Sequence, residues 1–116
     1  MKGDSMRDIT HLDIPDFYAT LEMLRRPELK KKPLALAEQG PRAIVQGVNG
    51  IARSEGICEG MPLGVARRLC RRLMHLPPDT RFYREQHERV LEELERFSPT
   101  VEGTFPGHYF VDLTGT

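Results

Sequence analysis

The order of strand-like and helix-like segments along the chain is the feature that most constrains its fold. Residues 9–14 alternate between apolar and polar side chains as a strand does, and a helix is predicted from Asp16 until Pro27. The segments PLALA and AIVQGV flank a turn and predict a hairpin. Two shorter helices, the strand LMHLP, a long helix and a last strand complete an order that is typical of mixed α/β proteins.

Two of the predicted helices are amphipathic. One begins after Pro62 and is predicted to extend to about Arg72, with Leu69 among its buried residues. The other spans about residues 79–97, and its apolar stripe follows the helical period. His87 falls on that stripe, so it is predicted to be a packed, hydrogen-bonded histidine without a chemical role.

The last strand is predicted from TFPGHYFVDL at residues 104–113, where aromatic, apolar and β-branched residues suit a half-buried sheet. Gly107 and His108 interrupt these residues near the start. The preceding SPTVEG is interpreted as the turn that leads into this strand. Gly and His are not the residue types that favour a strand, so their presence at these positions calls for an explanation.

The overall charge does not indicate a partner. Seventeen Lys and Arg residues balance seventeen Asp and Glu residues, so no global field favours nucleic acid, a membrane or an acidic substrate. A local group of basic side chains is predicted to lie on neighbouring rows of one helix: Arg67, Arg68, Arg71 and Arg72. These arginines could contact a nucleic-acid backbone with salt-dependent affinity, or they could form an ordinary solvated helix face.

Cysteine usage and hydropathy limit the compartment. Cys58 and Cys70 have neither CxxC spacing nor companion histidines, so neither a metal clip nor a disulfide framework is predicted, and a reduced, cytoplasmic setting is expected. No apolar run approaches the roughly 18–20 residues that span a bilayer, so no membrane association is expected. The first residues lack the apolar core of a signal peptide, and residues 1–8 are predicted to be a flexible leader.

Five phrases occur along the chain in this order: HLDIPDFYATLE, PELKKKPLAL, IARSEGICEGMPLGVARRLC, LPPDTRFYREQHERVLEELERFSPTVE and VDLTGT. Their order and spacing resemble the amino-terminal part of the Y-family translesion DNA polymerases, which include bacterial DNA polymerase IV and the UmuC proteins. The resemblance covers residues 9–116. It implies palm-edge strands plus a small fingers domain, in a chain truncated from a longer protein.

The resemblance also implies a metal site whose residues are largely replaced. In the family, carboxylates on the first and last strands hold two Mg²⁺ ions that activate a primer hydroxyl and neutralise the leaving pyrophosphate. Asp13 matches the first carboxylate, but Pro15 takes the second place and Asp16 is one residue late. Phe105, Pro106, Gly107 and His108 lie over the family's second acidic motif. Asp13 is therefore predicted to be a vestigial ligand, and no catalytic residue and no bound cofactor are predicted.

Nucleotide contacts are implied in the same way and are partly retained. Tyr18 matches an aromatic gate against ribonucleotides, and Arg53 matches an arginine that would touch the incoming triphosphate. Gly47 and Gly50 stand where the family usually offers a threonine hydroxyl and a tyrosine phenol. Without the catalytic acids, Tyr18 could instead be a core or cleft-wall aromatic, and Arg53 could equally pair with a nearby carboxylate.

A different metal chemistry is left open at the same strands. His11, Asp13, Asp16 and His108 could form a transition-metal site, because the first and last strands are expected to lie side by side. The alternative is that Asp13 is a solvated carboxylate at a strand end and that the histidines are structural.

The leading prediction is a noncatalytic adaptor in bacterial translesion repair. It would contact primer-template DNA in the full-length protein, and the sliding clamp and other repair proteins through a segment beyond residue 116. The alternative is an active error-prone polymerase that uses Asp13, Asp16 and Asp112 as substituted ligands. Asp112 lies four residues past His108, about 13 Å along a strand, which argues against that substitution. A third possibility is an interaction module that binds no DNA.

Overall fold

A computed structural model describes residues 9–96, residue 98 and residues 101–112 of the chain. The predicted leader at residues 1–8 and the closing residues 113–116 lie outside the described residues. The chain divides into two compact units, one formed by the described residues before Asp16 and after Asp79, and the other by residues 16–79. We call them the terminal unit and the central unit.

The observed elements follow the predicted order with one additional strand. In chain order they are β1 (Ile9–Asp13), α1 (Phe17–Arg25), a 3₁₀ turn (Pro27–Lys31), β2 (Leu34–Leu36), β3 (Gly47–Val48), α2 (Gly50–Ser54), α3 (Leu63–Leu69), β4 (Met74–Leu76), α4 (Thr80–Glu95), β5 (Val101–Phe105) and β6 (His108–Asp112). None of the helices in the described part of the chain is long and apolar enough to cross a membrane.

The terminal unit is built on an antiparallel sheet in the order β1-β6-β5. The prediction of a single last strand over 104–113 is wrong, because the chain reverses at Pro106 and Gly107 and forms a hairpin. Proline fixes its own φ and provides no N–H for a ladder, and Gly107 has a φ of 91°, which other residues rarely adopt. The Pro-Gly pair is thus typical of a turn, and part of the segment interpreted as a turn, from Val101, is already strand β5.

Helix α4 packs on β5 at a close approach. A Cβ added at Gly103 would lie 3.0 Å from Cδ2 of Leu91 and 3.1 Å from Cε1 of His87, so a larger residue there would require these side chains to shift by a few tenths of an ångström. Tyr83 of the same helix is buried. The prediction that His87 is hydrogen-bonded is confirmed, because its Nδ1 lies 2.8 Å from the hydroxyl oxygen of the buried Tyr109.

The central unit is built on a second small sheet in the order β3-β2-β4, and it confirms the predicted hairpin and the LMHLP strand. Strands β2 and β3 are antiparallel, and β2 and β4 are parallel. The three residues of β2 are fully buried, as expected for the middle strand of a sheet covered on both faces. Helices α2 and α3 contribute Ala52, Leu63 and Ala66 to the core around this sheet.

Helix α3 is shorter than predicted, and Leu69 is exposed rather than buried. The helix ends at Leu69 because Cys70 adopts an extended conformation, with φ −139° and ψ 103°. The buried residues are Leu63, Ala66 and Cys70, which are spaced i, i+3 and i+7 and lie on one helical face. Leu69 points away from that face, and 52% of its surface is exposed.

Candidate functional site

Two histidines and a carboxylate lie together at one end of the exposed face of the terminal sheet. Side chains alternate between the faces of a strand, so His11 and Asp13 of β1 share a face. Across the ladder, Asp13 is directly opposite His108 and His11 is directly opposite Phe110. The other face of β6 presents Tyr109, which is fully buried. The sheet therefore separates a buried tyrosine from an open cluster of His11, Asp13 and His108, which we call the His–Asp–His cluster.

The atoms of the His–Asp–His cluster are close together. Oδ1 of Asp13 lies 2.6 Å from Nδ1 of His108 and 3.0 Å from Nε2 of His11. One ligand atom from each of the three residues lies within 4.8 Å of the others. The His11 ring stacks on Phe110, with ring centroids 4.5 Å apart and planes 8° from parallel. The cluster is accessible, because between 38% and 49% of each of its side chains is exposed.

A hydrogen-bond chain fixes the turn beside this cluster. The Gly107 N–H donates to the Tyr109 hydroxyl oxygen at 3.2 Å, and the same hydroxyl makes a hydrogen bond of 2.8 Å with Nδ1 of His87 in α4. Burial raises the pKa of Tyr109, and the Gly107 hydrogen bond opposes that rise only in part, so the hydroxyl keeps its proton and remains a donor. The Ile14 N–H also donates to the Gly107 carbonyl at 2.7 Å. The backbone that carries His108 is therefore held from two directions.

Asp16 is not among the three residues of the cluster, so the predicted set of four metal ligands is wrong with respect to Asp16. It lies in the central unit at the N-cap position of α1, with φ 48° and ψ 50°, and among the described non-glycine residues it alone has a positive φ. Aspartate tolerates this left-handed conformation better than most residues. Its carboxylate makes no capping hydrogen bond to the helix and instead pairs with Arg53.

Arg53 binds two carboxylates, which is the alternative that the sequence left open. Besides its ion pair with Asp16, its guanidinium lies 3.0 Å from Oε2 of Glu59. The hydrogen bonds to Glu59 and Asp16 raise the pKa of Arg53. Burial would raise the pKa of Glu59, but the hydrogen bond from Arg53, a backbone hydrogen bond and the attraction of Arg53 together lower it. A phosphate that approached Arg53 would compete with both carboxylates.

The helix that carries Arg53 is anchored at its start by Asn49. The buried Asn49 amide oxygen accepts from the Ala52 N–H and the Leu34 N–H, each at 3.0 Å, and the amide nitrogen donates to the Lys32 carbonyl at 2.7 Å. Asparagine is a favoured N-cap residue, and here it also ties α2 to strand β2. The position of Arg53 is therefore set by a buried side chain.

The other residues that the resemblance matches to nucleotide contacts also lie in the central unit. Tyr18 is half-buried in α1, with its ring centroid 6.1 Å from that of Phe17. A Cβ at Gly47 would lie 3.2 Å from Cδ1 of Leu36, so a threonine there would need a small shift of that side chain. A Cβ at Gly50 would meet nothing within 4 Å. The absence of a side chain at Gly50 is thus not a packing requirement.

The four arginines do not share one helix, which corrects their predicted arrangement. Arg67 and Arg68 lie in the last turn of α3, whereas Arg71 and Arg72 follow the helix end at Cys70. All four are exposed. A guanidinium nitrogen of Arg67 lies 2.9 Å from Nδ1 of His75, and one of Arg72 lies 3.5 Å from Glu55. The four exposed arginines are therefore divided between the end of a helix and the loop that follows it.

Sequence reasoning missed Glu59 and Glu22. Glu59 lies in a loop with no periodic pattern, so only its contact with Arg53 marks it. Glu22 is buried in α1, where Arg25 contacts both of its carboxylate oxygens at 3.0 Å and also reaches Asp79 at 3.1 Å. The i, i+3 spacing of Glu22 and Arg25 was the available signal.

The His–Asp–His cluster does not fit a pair of Mg²⁺ ions. Mg²⁺ requires an octahedral set of oxygen ligands, and in this cluster only Asp13 offers oxygen while His11 and His108 offer nitrogen. Asp112 pairs with Ile9 at the opposite end of the β1–β6 ladder, so its backbone position is remote from Asp13. The residues of this cluster therefore do not fit phosphoryl transfer assisted by two Mg²⁺ ions.

Comparison with known proteins defines the class. The model of the impB/mucB/samB family matches residues 12–116, and the chain belongs to that family. Among curated proteins, DNA polymerase IV of Ureaplasma parvum serovar 3 is 33% identical over 115 residues, covering 98% of this chain and 32% of the relative. DNA polymerase IV of Streptomyces coelicolor is 37% identical over 105 residues, covering 90% of this chain and 22% of the relative. The resemblance to Y-family translesion polymerases is thereby confirmed.

Solved structures confirm the mixed α/β fold and its match to the palm and fingers region. DinB from Sulfolobus solfataricus superposes with a TM-score of 0.87 at 24% identity, over 92% of this chain and 32% of that chain. The insertion ternary complex of Dbh DNA polymerase gives a TM-score of 0.85 at 24% identity, over 91% of this chain and 32% of that chain. The chain spans about a third or less of the length of these relatives.

Proposed function

We propose that this protein is a noncatalytic member of the Y family that acts as an adaptor in translesion DNA repair. The observation that carries the proposal is the pairing of Asp13 with His108 across the β1–β6 ladder. A carboxylate would be needed where His108 stands if two hard cations were to be held by oxygen atoms. The family's acidic motif falls on a tight turn and an imidazole instead.

The central unit supports the same proposal independently. Arg53, the residue that matches a triphosphate contact, is neutralised by Asp16 and Glu59. Gly50 offers no hydroxyl, although a Cβ would meet nothing within 4 Å. A nucleotide would therefore find one arginine already paired and fewer polar partners. Weak nucleotide binding is expected, with Tyr18 acting as a wall residue rather than a sugar gate.

DNA and protein partners form part of the proposal. Arg67, Arg68, Arg71 and Arg72 are exposed and could contact phosphates of primer-template DNA in the longer protein. The insertion ternary complex of Dbh polymerase is a structural neighbour, which supports a DNA role by analogy of fold. The sliding clamp and other repair proteins would be bound by segments beyond this chain, in the cytoplasm.

Primer extension tests the loss of catalysis. The protein is incubated with primer-template DNA and dNTPs in Mg²⁺ and, separately, in Mn²⁺, and we expect no extended product at high protein concentration. Product that disappears on Asp13→Ala would refute the adaptor proposal and would favour an active polymerase with substituted ligands. The Glu38→Ala variant is a matched control, because Glu38 is an exposed carboxylate that is neither part of the His–Asp–His cluster nor a candidate ligand of the alternative.

Band shifts test the DNA role separately. Binding to primer-template DNA should weaken steeply as salt increases, and each lost phosphate contact should lower the slope of log K against log salt by about 0.9. Replacing Arg68 and Arg71 by Gln should reduce that slope, whereas replacing Arg81 and Arg84 of α4 should leave it unchanged. Binding that is absent, or that does not respond to the first pair, would favour an interaction module without DNA contact.

A further inference from the structure

The His–Asp–His cluster has the ligand chemistry of a transition-metal site. Imidazole nitrogen suits borderline divalent ions such as Zn²⁺, whereas Mg²⁺ prefers oxygen and retains most of its water. Two histidines and one carboxylate are a recurrent ligand set for zinc with an open fourth position. His11, Asp13 and His108 supply this set from adjacent strands.

The three ligand atoms are close enough to reach a single small ion, which would replace the hydrogen bond between Asp13 and His108. Ligand atoms that lie about 2.0–2.1 Å from tetrahedral Zn²⁺ are about 3.3 Å from one another. The observed separations from Oδ1 of Asp13 are 2.6 and 3.0 Å, and all three ligand atoms lie within 4.8 Å. Small side-chain rotations would bring the nitrogen and oxygen atoms to the required spacing, and the partial exposure of the three side chains leaves room for them.

The surroundings restrict these side chains to one region. Stacking on Phe110 holds the plane of the His11 ring, and the directly opposed backbone positions of Asp13 and His108 are fixed by the strand ladder. The Gly107 turn next to His108 is held by the Tyr109 hydroxyl and by the Ile14 N–H. Ligands on paired strands need little ordering when a metal binds, which favours affinity.

We propose that the chain binds one Zn²⁺-class ion through Nε2 of His11, a carboxylate oxygen of Asp13 and Nδ1 of His108. The fourth position is open to water or to an oxygen ligand from a partner. The site lies where the family's first and last strands meet, but its ligand set selects a different class of cation. The proposal does not depend on the adaptor role, because it concerns binding of the ion alone.

Metal titration of the chelator-treated chain tests this site. We expect one equivalent of Zn²⁺ to bind by calorimetry, and one equivalent of Co²⁺ to give visible absorption bands of a low-coordinate nitrogen and oxygen site. A large excess of Mg²⁺ should not displace either ion. Imidazole NMR signals of His11 and His108 should shift on Zn²⁺ addition, while those of His75 and His87 should not.

Variants assign the ligands. His11→Ala, Asp13→Asn and His108→Ala should each weaken Zn²⁺ binding by at least about 10- to 100-fold, which is the loss that even outer partners of a metal ligand can cause. His75→Gln and Cys58→Ser are matched controls outside the cluster and should leave affinity unchanged. Circular dichroism checks that each variant is folded, and the NMR shifts of the unmodified chain give an answer even if a variant is not.

Several results would overturn the proposal. These are no saturable Zn²⁺ binding, binding that survives His11→Ala or His108→Ala with less than a tenfold change, and binding lost in Cys58→Ser. Equal affinity for Mg²⁺ would also overturn it. Primer extension plays no part in these measurements, so polymerase activity would refute the adaptor role without affecting this site, and failure to bind Zn²⁺ would leave the adaptor role standing.

Discussion

Substitution of Gly107 tests whether the turn that replaces the family's acidic motif is a conformational necessity. Gly107 has a φ of 91°, where a Cβ is unfavourable by roughly 1–2 kcal/mol. Its N–H also donates to the buried Tyr109 hydroxyl, and disturbance of that hydrogen bond would add about 1 kcal/mol. Gly107→Ala should therefore lower the free energy of unfolding by about 2–3 kcal/mol, a large part of the 5–15 kcal/mol typical of domains.

The same argument predicts an order among substitutions. Asparagine and aspartate enter the left-handed region more readily than alanine, so Gly107→Asn and Gly107→Asp should be destabilised less than Gly107→Ala. Chemical denaturation of the chain and its variants, followed by circular dichroism, measures these differences. Gly50→Ala is the matched control: Gly50 starts α2 without a positive φ and has no atom near a built Cβ, so its stability should stay equal or increase.

Two outcomes would refute this reasoning. If Gly107→Ala is as stable as the unmodified chain, the turn does not need a positive φ. If Gly50→Ala is equally destabilised, the loss is a general response to glycine replacement.

The triple change Pro15→Asp, Gly107→Asp and His108→Glu restores the acidic pattern but should gain little Mg²⁺ affinity. The turn that begins at Pro106 remains, and the carboxylate introduced at position 107 would not lie in a regular strand.

Three further substitutions test contacts in the central unit. Glu59→Gln should lower the free energy of unfolding by less than about 1 kcal/mol at pH 7, since the pair with Arg53 is exposed. Because the pKa of Glu59 is lowered in the folded state, this difference is present above the unfolded pKa near 4.5. In denaturation curves it should vanish as the pH falls through the folded pKa. Arg25→Met should lower the free energy of unfolding by about 1–3 kcal/mol, because it removes a charged hydrogen-bond partner of the buried Glu22 carboxylate. An unchanged midpoint of thermal unfolding would contradict this. Asn49→Ala should cost about 2–4 kcal/mol, because three backbone groups lose a buried partner, whereas a denaturation midpoint equal to that of the parent would show that water replaces the amide.

Much of the fold was predictable because its signals are local. The alternation in β1, the proline boundaries of α1 and the apolar stripe of α4 each depend on neighbouring residues and on one period. The Pro106–Gly107 turn also had a local signal, but the aromatic residues around it favoured one continuous strand. Leu69 was assigned to the core because it is more apolar than Cys70, although both fit the helical spacing from Leu63 and Ala66. The structure buries Cys70 instead.

The sequence by itself determined the family, the order of the elements as far as α4 and the replacement of the acidic motif, because these depend on which residues follow one another. Only the tertiary structure decided the partners. Asp13 and His108 meet although 95 positions separate them, and Arg53 reaches Asp16 across 37 positions. Strand register and side-chain pairing depend on hydrogen bonds between distant segments, and no spacing along the chain specifies these. That is why His11 and His108 join Asp13, while Asp16, three residues beyond Asp13, turns to an arginine.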